Sequence, residues 1–597
     1  MKKVIAFILA AIMAFSAFAM MGYADGDSVT AYIANYDETN DEYSRVINWF
    51  EANGKYYFFV PASIDYDTAK FFVEDDDVTV DGAAYAESKT LAEVFGDKAE
   101  VKVVADGATY DVVIIKESKV ASVFIATESG SLDYIHAVKG NEEEGTIEIV
   151  DRDGEVVYDG ALEIKGRGNS TWQMEKKPYN IKLDKKTDLF GMGKSKKWSL
   201  IANHGDPSLI RNVLAYEAAR TAGMPYSPQF EPVDVYINND YMGAYLLTTR
   251  VGIDGTSVDI EDLEGNTEDA NDADLDTYPK AGYYGTYAGL LAGTKKWYDI
   301  PNDPEDITGG YIIEMELANR YADEACGFVT TRNQPFTMKT PEYVSEAQIN
   351  YISAFYQQFE DAVYAGASME EIGKYCNVQS LARLYLINEW ASNMDGGLTS
   401  TYFYKPEGAD ETLYAGPVWD FDIAFGNNDG DRFGNDYNDP TKWTVCYNRM
   451  YRNTVFGKWD IDEQPNVFNI ITKNEGFVKV LEDEWNYNMN DALKATTAWV
   501  ECEYEPFVEG SAVANAIRWN IFDTYDVAEI KADYADEVVK VVNFAKTKAA
   551  TITVGVAEVQ NNAPQTNAVV KFFKGFLVSV NDLFETAIVA LDLVNKI

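Results

Sequence analysis

Histidine is nearly missing from this sequence: His136 and His204 are the two among 597 residues. That excludes a histidine-rich metal centre, and it leaves a Ser-His-Asp hydrolase only two residues from which to draw its base. Cysteine is scarce as well. Cys326, Cys376, Cys446 and Cys502 lie far apart with no CxxC pair. This disfavours zinc, and four in so long a chain make no disulfide framework, although one or two bridges fit an oxidising compartment. Positive charge is in short supply: 50 Lys and Arg stand against 97 Asp and Glu, a formal net charge of −47. Such a chain repels phosphate backbones, which argues against nucleic acid as the main partner and suits basic partners or bound cations. Beyond the first two dozen residues, no stretch offers the roughly 20 uncharged apolar residues that span a bilayer.

What is present is ample for a core. Hydrophobic residues are 47% and aromatics 14% of the chain, enough for more than one domain and too many for wholesale disorder. Lys2 and Lys3, the apolar run Val4 to Phe15, and small residues at Ala17, Ala19, Gly22 and Ala24 have the three parts of a secretory signal peptide. Residues 1–24 are read as that leader, so the mature chain is expected to be exported and not integral to a membrane.

Residues 25–118 carry short β-rich runs between Gly, Asp and Asn, such as Lys55 to Val60 and Tyr110 to Ile115. They predict a small all-β sandwich-like domain. A second β-rich block begins near 119, with hairpins at 161–183 and 233–251. A helix is expected over Ser208 to Ala222, closed by Gly223. Residues 254–280 are crowded with Asp and Glu and read as a solvated acidic insertion, with a weak calcium site as the sharper alternative. From about 345 the pattern turns helical, with amphipathic candidates at 345–365 and 380–393 and helices again from 475 to 548. A linker is expected at 549–567 and an amphipathic terminal helix at 568–597. The whole predicts an α+β chain.

Three segments carry chemistry. The hairpin loop Gly166-Arg167-Gly168-Asn169-Ser170-Thr171 exposes backbone N–H groups of the kind that close over phosphates, as any Gly-rich turn can. Lys182 on the returning strand and Glu217 on the next helix follow the order of a phosphate-holding lysine and its orienting glutamate; Lys176 and Lys177 compete for the lysine's part. A surface salt bridge is the plain alternative. Further on, Asn388 to Gly397 places Asp395 in a Gly-flanked loop after a helix, suited to orienting or deprotonating a hydroxyl. Gly416 to Asp422 ends in Asp420 and Asp422, one residue apart. Magnesium favours one or two carboxylates plus phosphate oxygens, although aspartates at such places also cap helices and make turns.

The segments GRGNSTW (166–172), KKPYNIKL (176–183), KKWSLIANHGDPSLIRNVLAYEAAR (196–220), VDVYINNDYMGAYLLTTRV (233–251), NEWASNMDGG (388–397) and GPVWDFDIAFGN (416–427) closely resemble the CotH kinase family, named for spore-coat protein H. The resemblance runs from about 119 to 545. It implies an atypical protein-kinase-like core over 119–548, with a β-rich N-lobe and a helical C-lobe, preceded by the small all-β domain. It also implies phosphotransfer from ATP, with Mg²⁺ or Mn²⁺, to serine or threonine hydroxyls of a protein. By position, Lys182 matches the ATP-contacting lysine and Glu217 its partner. Arg167, Gly168, Asn169 and Ser170 match the loop over the nucleotide. Asp395 matches the catalytic aspartate, and Asp420 and Asp422 the metal-binding pair. Two other readings stand beside this one. The first is a non-catalytic extracellular scaffold that binds carbohydrate or another surface through its aromatics. The second is metal-dependent hydrolysis at the WDxD aspartates.

Overall fold

The computed structural model describes residues 29–561 apart from 38–41, 76, 87–88, 287–289, 429–430, 433–434, 451–452, 456–457 and 461–463. The expected leader (1–24) and terminal helix (568–597) lie outside the described residues. The fold is mixed α+β, as the sequence predicts. It divides into two compact units, each discontinuous in the chain: Met1–Leu209 with Gln229–Arg250 and Glu501–Val538, and Ile210–Pro228 with Val251–Val500 and Val539–Ile597.

The first unit is built on a closed barrel of β1 (Ala121–Thr127), β2 (Glu142–Val150), β3 (Val156–Gly166), β4 (Tyr179–Asp188), β5 (Lys194–Ile201), β6 (Phe230–Ile237) and β7 (Asp240–Thr249). The strand order is β1-β2-β3-β4-β5-β7-β6, and parallel pairing of β1 with β6 completes the ring. Alternation fills it. Leu162, Ile164, Ile181 and Leu183 join Trp198, Val233 and Leu247 in one apolar cluster, while the residues between them point away, as a period of two requires. The β6–β7 hairpin turns on Asn238 and Asn239, with φ of +51° and +72°. That left-handed pair suits Asn and matches the twist of the flanking strands.

The N-terminal strands form a three-stranded and a six-stranded sheet. Their apolar core does not end at residue 118. Tyr236 and Tyr241 of the β6–β7 hairpin, and Val513 and Ile517 of the helix Glu505–Trp519, belong to the same cluster. The boundary read from turn-rich composition is therefore not a boundary of this core.

A buried cation ties the same parts together. Lys176 is fully buried, and its Nζ donates to the Ala202 and Ala244 carbonyls and, at 2.7 Å, to Asn515 Oδ1. The Tyr245 ring lies 4.4 Å from it. Burial holds this ammonium's pKa well below the usual lysine value.

The second unit has a seven-stranded sheet of β8 (Lys280–Gly282), β9 (Lys295–Tyr298), β10 (Tyr311–Met315), β11 (Gly327–Val329), β12 (Pro335–Thr340), β13 (Thr401–Lys405) and β14 (Tyr414–Ala415). Their order is β8-β9-β11-β12-β10-β13-β14. Its helices include α1 (Arg211–Thr221), α2 (Val378–Trp390) and the later part of α3 (Val527–Asn561). The helix Glu346–Tyr364 begins with a capping box of Ser345 and Gln348, the pattern that marks a start in sequence.

Two expectations are corrected. The 254–280 stretch is not merely solvated: it folds a short helix, Leu263–Asp269, capped by Asp262. Leu263, Thr267 and Leu275 are buried, so a few anchors seat an otherwise acidic segment. The linker expected from 549 is helical through Asn561, because Ala549 and Ile552 are buried along α3 and packing outweighs the weak helix preference of its Thr, Val and Gly residues.

Lys176→Met is expected to take the ammonium donor from two carbonyls, while Asn515 Oδ1 keeps the Ala244 N–H at 3.2 Å. At about 1–3 kcal/mol for a buried unsatisfied group, partly offset by the relieved desolvation of the lysine, the first unit's melting temperature should fall by roughly 5 °C. Scanning calorimetry reads this.

Candidate active site

The loop carrying Asp395 begins where α2 ends. Its N-cap is Asn377, which accepts from Ser380 N–H. After Trp390 the chain turns through Ser392 (φ +46°), Gly397 (φ +76°) and Ser400 (φ +49°) before entering β13. At Gly397 only glycine fits, because a Cβ there would sit 2.5 Å from the Phe468 ring.

Asn393 organises this loop. Its Oδ1 accepts from the Asp395 N–H at 3.1 Å. Its Nδ2 donates to Asn388 Oδ1 at 3.0 Å and, at 3.5 Å, to the carbonyl of Asp420. One buried amide therefore brings the Asp395 and Asp420 segments together. Ser400 Oγ reaches Asp420 Oδ2 at 3.3 Å.

The Asp420 segment has its own clamp from α1. Phe421 N–H donates to Asn212 Oδ1 at 2.8 Å, Arg211 Nε donates to the Ala424 carbonyl at 3.1 Å, and Asp420 N–H faces Tyr216 Oη at 3.4 Å. Asp420 itself stands at φ +67° and Phe425 at +49°. Such left-handed non-glycine residues persist only where surrounding bonds over-determine them, and they cluster at functional sites. The Asp422 carbonyl accepts from Asn427 Nδ2 at 2.6 Å.

Sequence reasoning missed the acidic floor beside Asp420. Glu314 and Glu316 on and just after β10 are 7% and 5% exposed. Burial raises the Glu314 carboxyl, with Lys339 opposing at 3.6 Å and the charge of Asp420 adding to the rise. Burial, reinforced by Glu314, pushes Glu316 up to about 8, against Arg320 at 3.7 Å and a 2.6 Å hydrogen bond from Thr399 Oγ1. The available signal was two glutamates inside the otherwise apolar run Tyr311 to Leu317.

In the first unit, the Gly-rich loop is fastened from two sides. Lys139 Nζ donates to the Gly168 carbonyl and Asn169 Oδ1, and Lys177 Nζ to the Trp172 and Met174 carbonyls. Gly168 has φ +83°, and Arg167 N–H bonds back to the Pro178 carbonyl. Ser170 precedes the one-turn helix Thr171–Gln173. Lys182 lies on β4 opposite Glu163, whose carboxylate it meets at 2.7 Å; that bond raises its pKa. Glu217, on α1, is chelated by Arg220 one turn on. Each of these two residues thus has a partner inside its own unit.

The fit of the Asp420 region to a metal can be judged from its donors. Asp420 and Asp422 supply hard oxygens, as do the nearby amide and hydroxyl side chains of Asn393 and Ser400. Among the described residues, no three His, Cys, Asp or Glu side chains form a group able to hold an ion. That donor set suits a magnesium-like ion that keeps its waters and shares phosphate oxygens, and does not suit a resident ion caged by protein alone.

A family model described as CotH kinase protein matches residues 164–552. The chain belongs to the CotH kinase family. No curated protein matches it. In this family member, Asp395, Asp420 and Asp422 all lie in the matched region, as do the Gly-rich loop, Lys182 and Glu217. Among the described residues, no helix is long and apolar enough to cross a membrane.

Two outcomes follow. Mn²⁺ is expected to bind weakly alone and at least tenfold more tightly with ATP, with both effects lost in Asp420→Ala; titration calorimetry checks this. For Glu316, the folded chain holds a proton that the unfolded chain, at an ordinary 4.5, has released. Folding stability should therefore decline as pH rises from about 4.5 towards 8. The melting temperature of Glu316→Gln should show a flatter profile over that window.

Proposed function

We propose that this chain is a secreted, metal-dependent atypical protein kinase acting on serine or threonine hydroxyls. The observation that carries the reading is the Asn393 bridge, which puts the Asp395 loop against the backbone of Asp420 in a member of the CotH kinase family. In this reading the barrel unit takes the part of a kinase N-lobe and the helical unit that of a C-lobe, and the N-terminal sheets are an accessory all-β module.

ATP with Mg²⁺ or Mn²⁺ supplies the transferable phosphoryl group and the neutralising charge. Asp420 and Asp422 would hold the ion through their carboxylates, at a segment stiffened by Asn212 and Arg211. Asp395 Oδ orients the acceptor hydroxyl and takes its proton. The loop Arg167 to Ser170 would lie over the phosphate oxygens, with the backbone N–H groups of Gly168, Asn169 and Ser170 as donors and Arg167 N–H holding the hairpin closed on the Pro178 carbonyl. Lys182 would exchange Glu163 for a phosphate; Glu217, the lysine's partner by family resemblance, is held by Arg220 within its own unit. A basic acceptor protein complements the net charge of −47. Export rests on the leader read at 1–24.

A second reading has its own observation. Trp49, Tyr56 and Tyr110, all half-buried, cluster at the N-terminal sheet, with the Trp49 ring tilted against Tyr56 at 4.3 Å and Tyr110 at 5.2 Å between centroids. Such a face is suited to sugar rings. Retention on insoluble polysaccharide by an Asp395→Asn/Asp420→Ala chain, with no phosphotransfer by the wild type, favours a carbohydrate-binding scaffold.

Transfer of label from γ-labelled ATP to a basic acceptor protein tests the kinase reading. Asp395→Asn should lower kcat by about 100-fold or more while ATP affinity stays within about twofold. Equal rates for wild type and variant would end the assignment of Asp395.

A further inference from the structure

The loop carrying Asp395 has a second support, remote from the proposed chemistry. Asn448 is fully buried. Its Oδ1 accepts from the Tyr437 hydroxyl, which turns the Nδ2 towards the loop. There the Nδ2 donates to the carbonyl of Gly396 at 2.7 Å, of Met394 at 3.2 Å and of Asn393 at 3.4 Å. Two protons shared among three carbonyls grip the backbone on both sides of Asp395.

Asn448 is fixed in turn by Glu389. This carboxylate, 0% exposed, accepts from Thr444 N–H at 2.8 Å and Val445 N–H at 2.9 Å, at the start of the turn that ends in Asn448. It also accepts from Tyr385 Oη at 3.2 Å and pairs with Lys548 Nζ at 2.8 Å. Lys548 is equally buried and comes from α3. The same stretch of α3 accepts Trp390 Nε1–H at the Ala545 carbonyl, 2.9 Å away.

Resting on the kinase reading above, we propose that Lys548, Glu389 and Asn448 are positioning residues for Asp395, so that α3 is a working part of the catalytic apparatus. The relay is selective. The Asp420 segment is clamped by Arg211, Asn212 and Tyr216 of α1. The loop touches Asp420 through long contacts from Asn393 and Ser400, at 3.5 and 3.3 Å, so cutting the relay is expected to displace Asp395 more than the metal-binding carboxylates that α1 clamps. General loosening of the unit would disturb both.

The test uses the full chain and two variants. Asn448→Asp keeps the shape but presents an acceptor to three carbonyls. Because Lys548→Met alone strands a buried carboxylate, the second variant is Glu389→Gln/Lys548→Met, which removes both charges. For each, kcat, the Kd for Mn²⁺·ATP, and amide hydrogen exchange over 393–399 are measured. The expected result is a kcat lowered at least tenfold, an Mn²⁺·ATP affinity within twofold of wild type, and faster exchange in 393–399. An unchanged kcat, or a loss of Mn²⁺·ATP binding in proportion to activity, overturns the proposal. If the wild type transfers no phosphate, the kinase reading fails separately and exchange alone decides. Faster exchange in the loop then supports the relay, and unchanged exchange overturns it.

Discussion

The ion pair of Glu389 and Lys548 is the constraint on which the arrangement of the second unit turns. Two charges with no solvent exposure are costly to bury, and a lone member would be costlier still. The cost is offset only if the carboxylate's remaining lone pairs are occupied, which Thr444, Val445 and Tyr385 accomplish. This fixes α2, the 444–448 turn and α3 in one register. The loop after α2 inherits that register, and with it the position of Asp395.

Polar side chains that hold backbone, and do no chemistry themselves, recur through the molecule. Asn393, Asn448 and Asn212 each bind main-chain groups of a loop that carries an aspartate. Lys176 does the same for the Ala202 and Ala244 carbonyls, and Asn515 for the Ala244 N–H. Amides suit this work because they offer donor and acceptor on one planar group, and burial makes each unmade bond expensive. The left-handed residues Ser392, Ser400 and Asp420 are tolerable because these bonds leave the loops no cheaper conformation.

Much of this was legible in sequence where the periodicity was strong. The hairpins at 161–183 and 233–251, the helix after Ser208 and the helices flanking 345–393 follow from alternation, helical spacing and caps. Closure of the barrel was not legible, because β1 meets β6 in parallel across an intervening run of seven other elements. Nor were Ala31–Asp37 and Glu42–Asn48, whose polar residues mask their alternation. The aspartates at 395, 420 and 422 stand in motifs. The residues that hold them do not: Asn448 follows a polar stretch with no motif of its own, and Lys548 falls where the composition resembles the start of a linker. Glu389 stands inside the NEWASNMDGG segment, but nothing in that segment marks it as a support for Asp395.

The threading of the two units has a consequence for biogenesis. Neither can be completed from the first 500 residues, since one needs Glu501–Val538 and the other needs the chain beyond it. Lys176 waits for Asn515, 339 positions away, and Glu389 waits for Lys548. Such distant closures slow folding, because the entropy of the loop is lost before the contact repays it. During vectorial synthesis the barrel strands, complete by Thr249, and the sheet strands, complete by Ala415, emerge before the helices whose side chains brace them. A nascent chain of this design carries its strands out first and gains the partners of Lys176 and Glu389 only from helices synthesised much later.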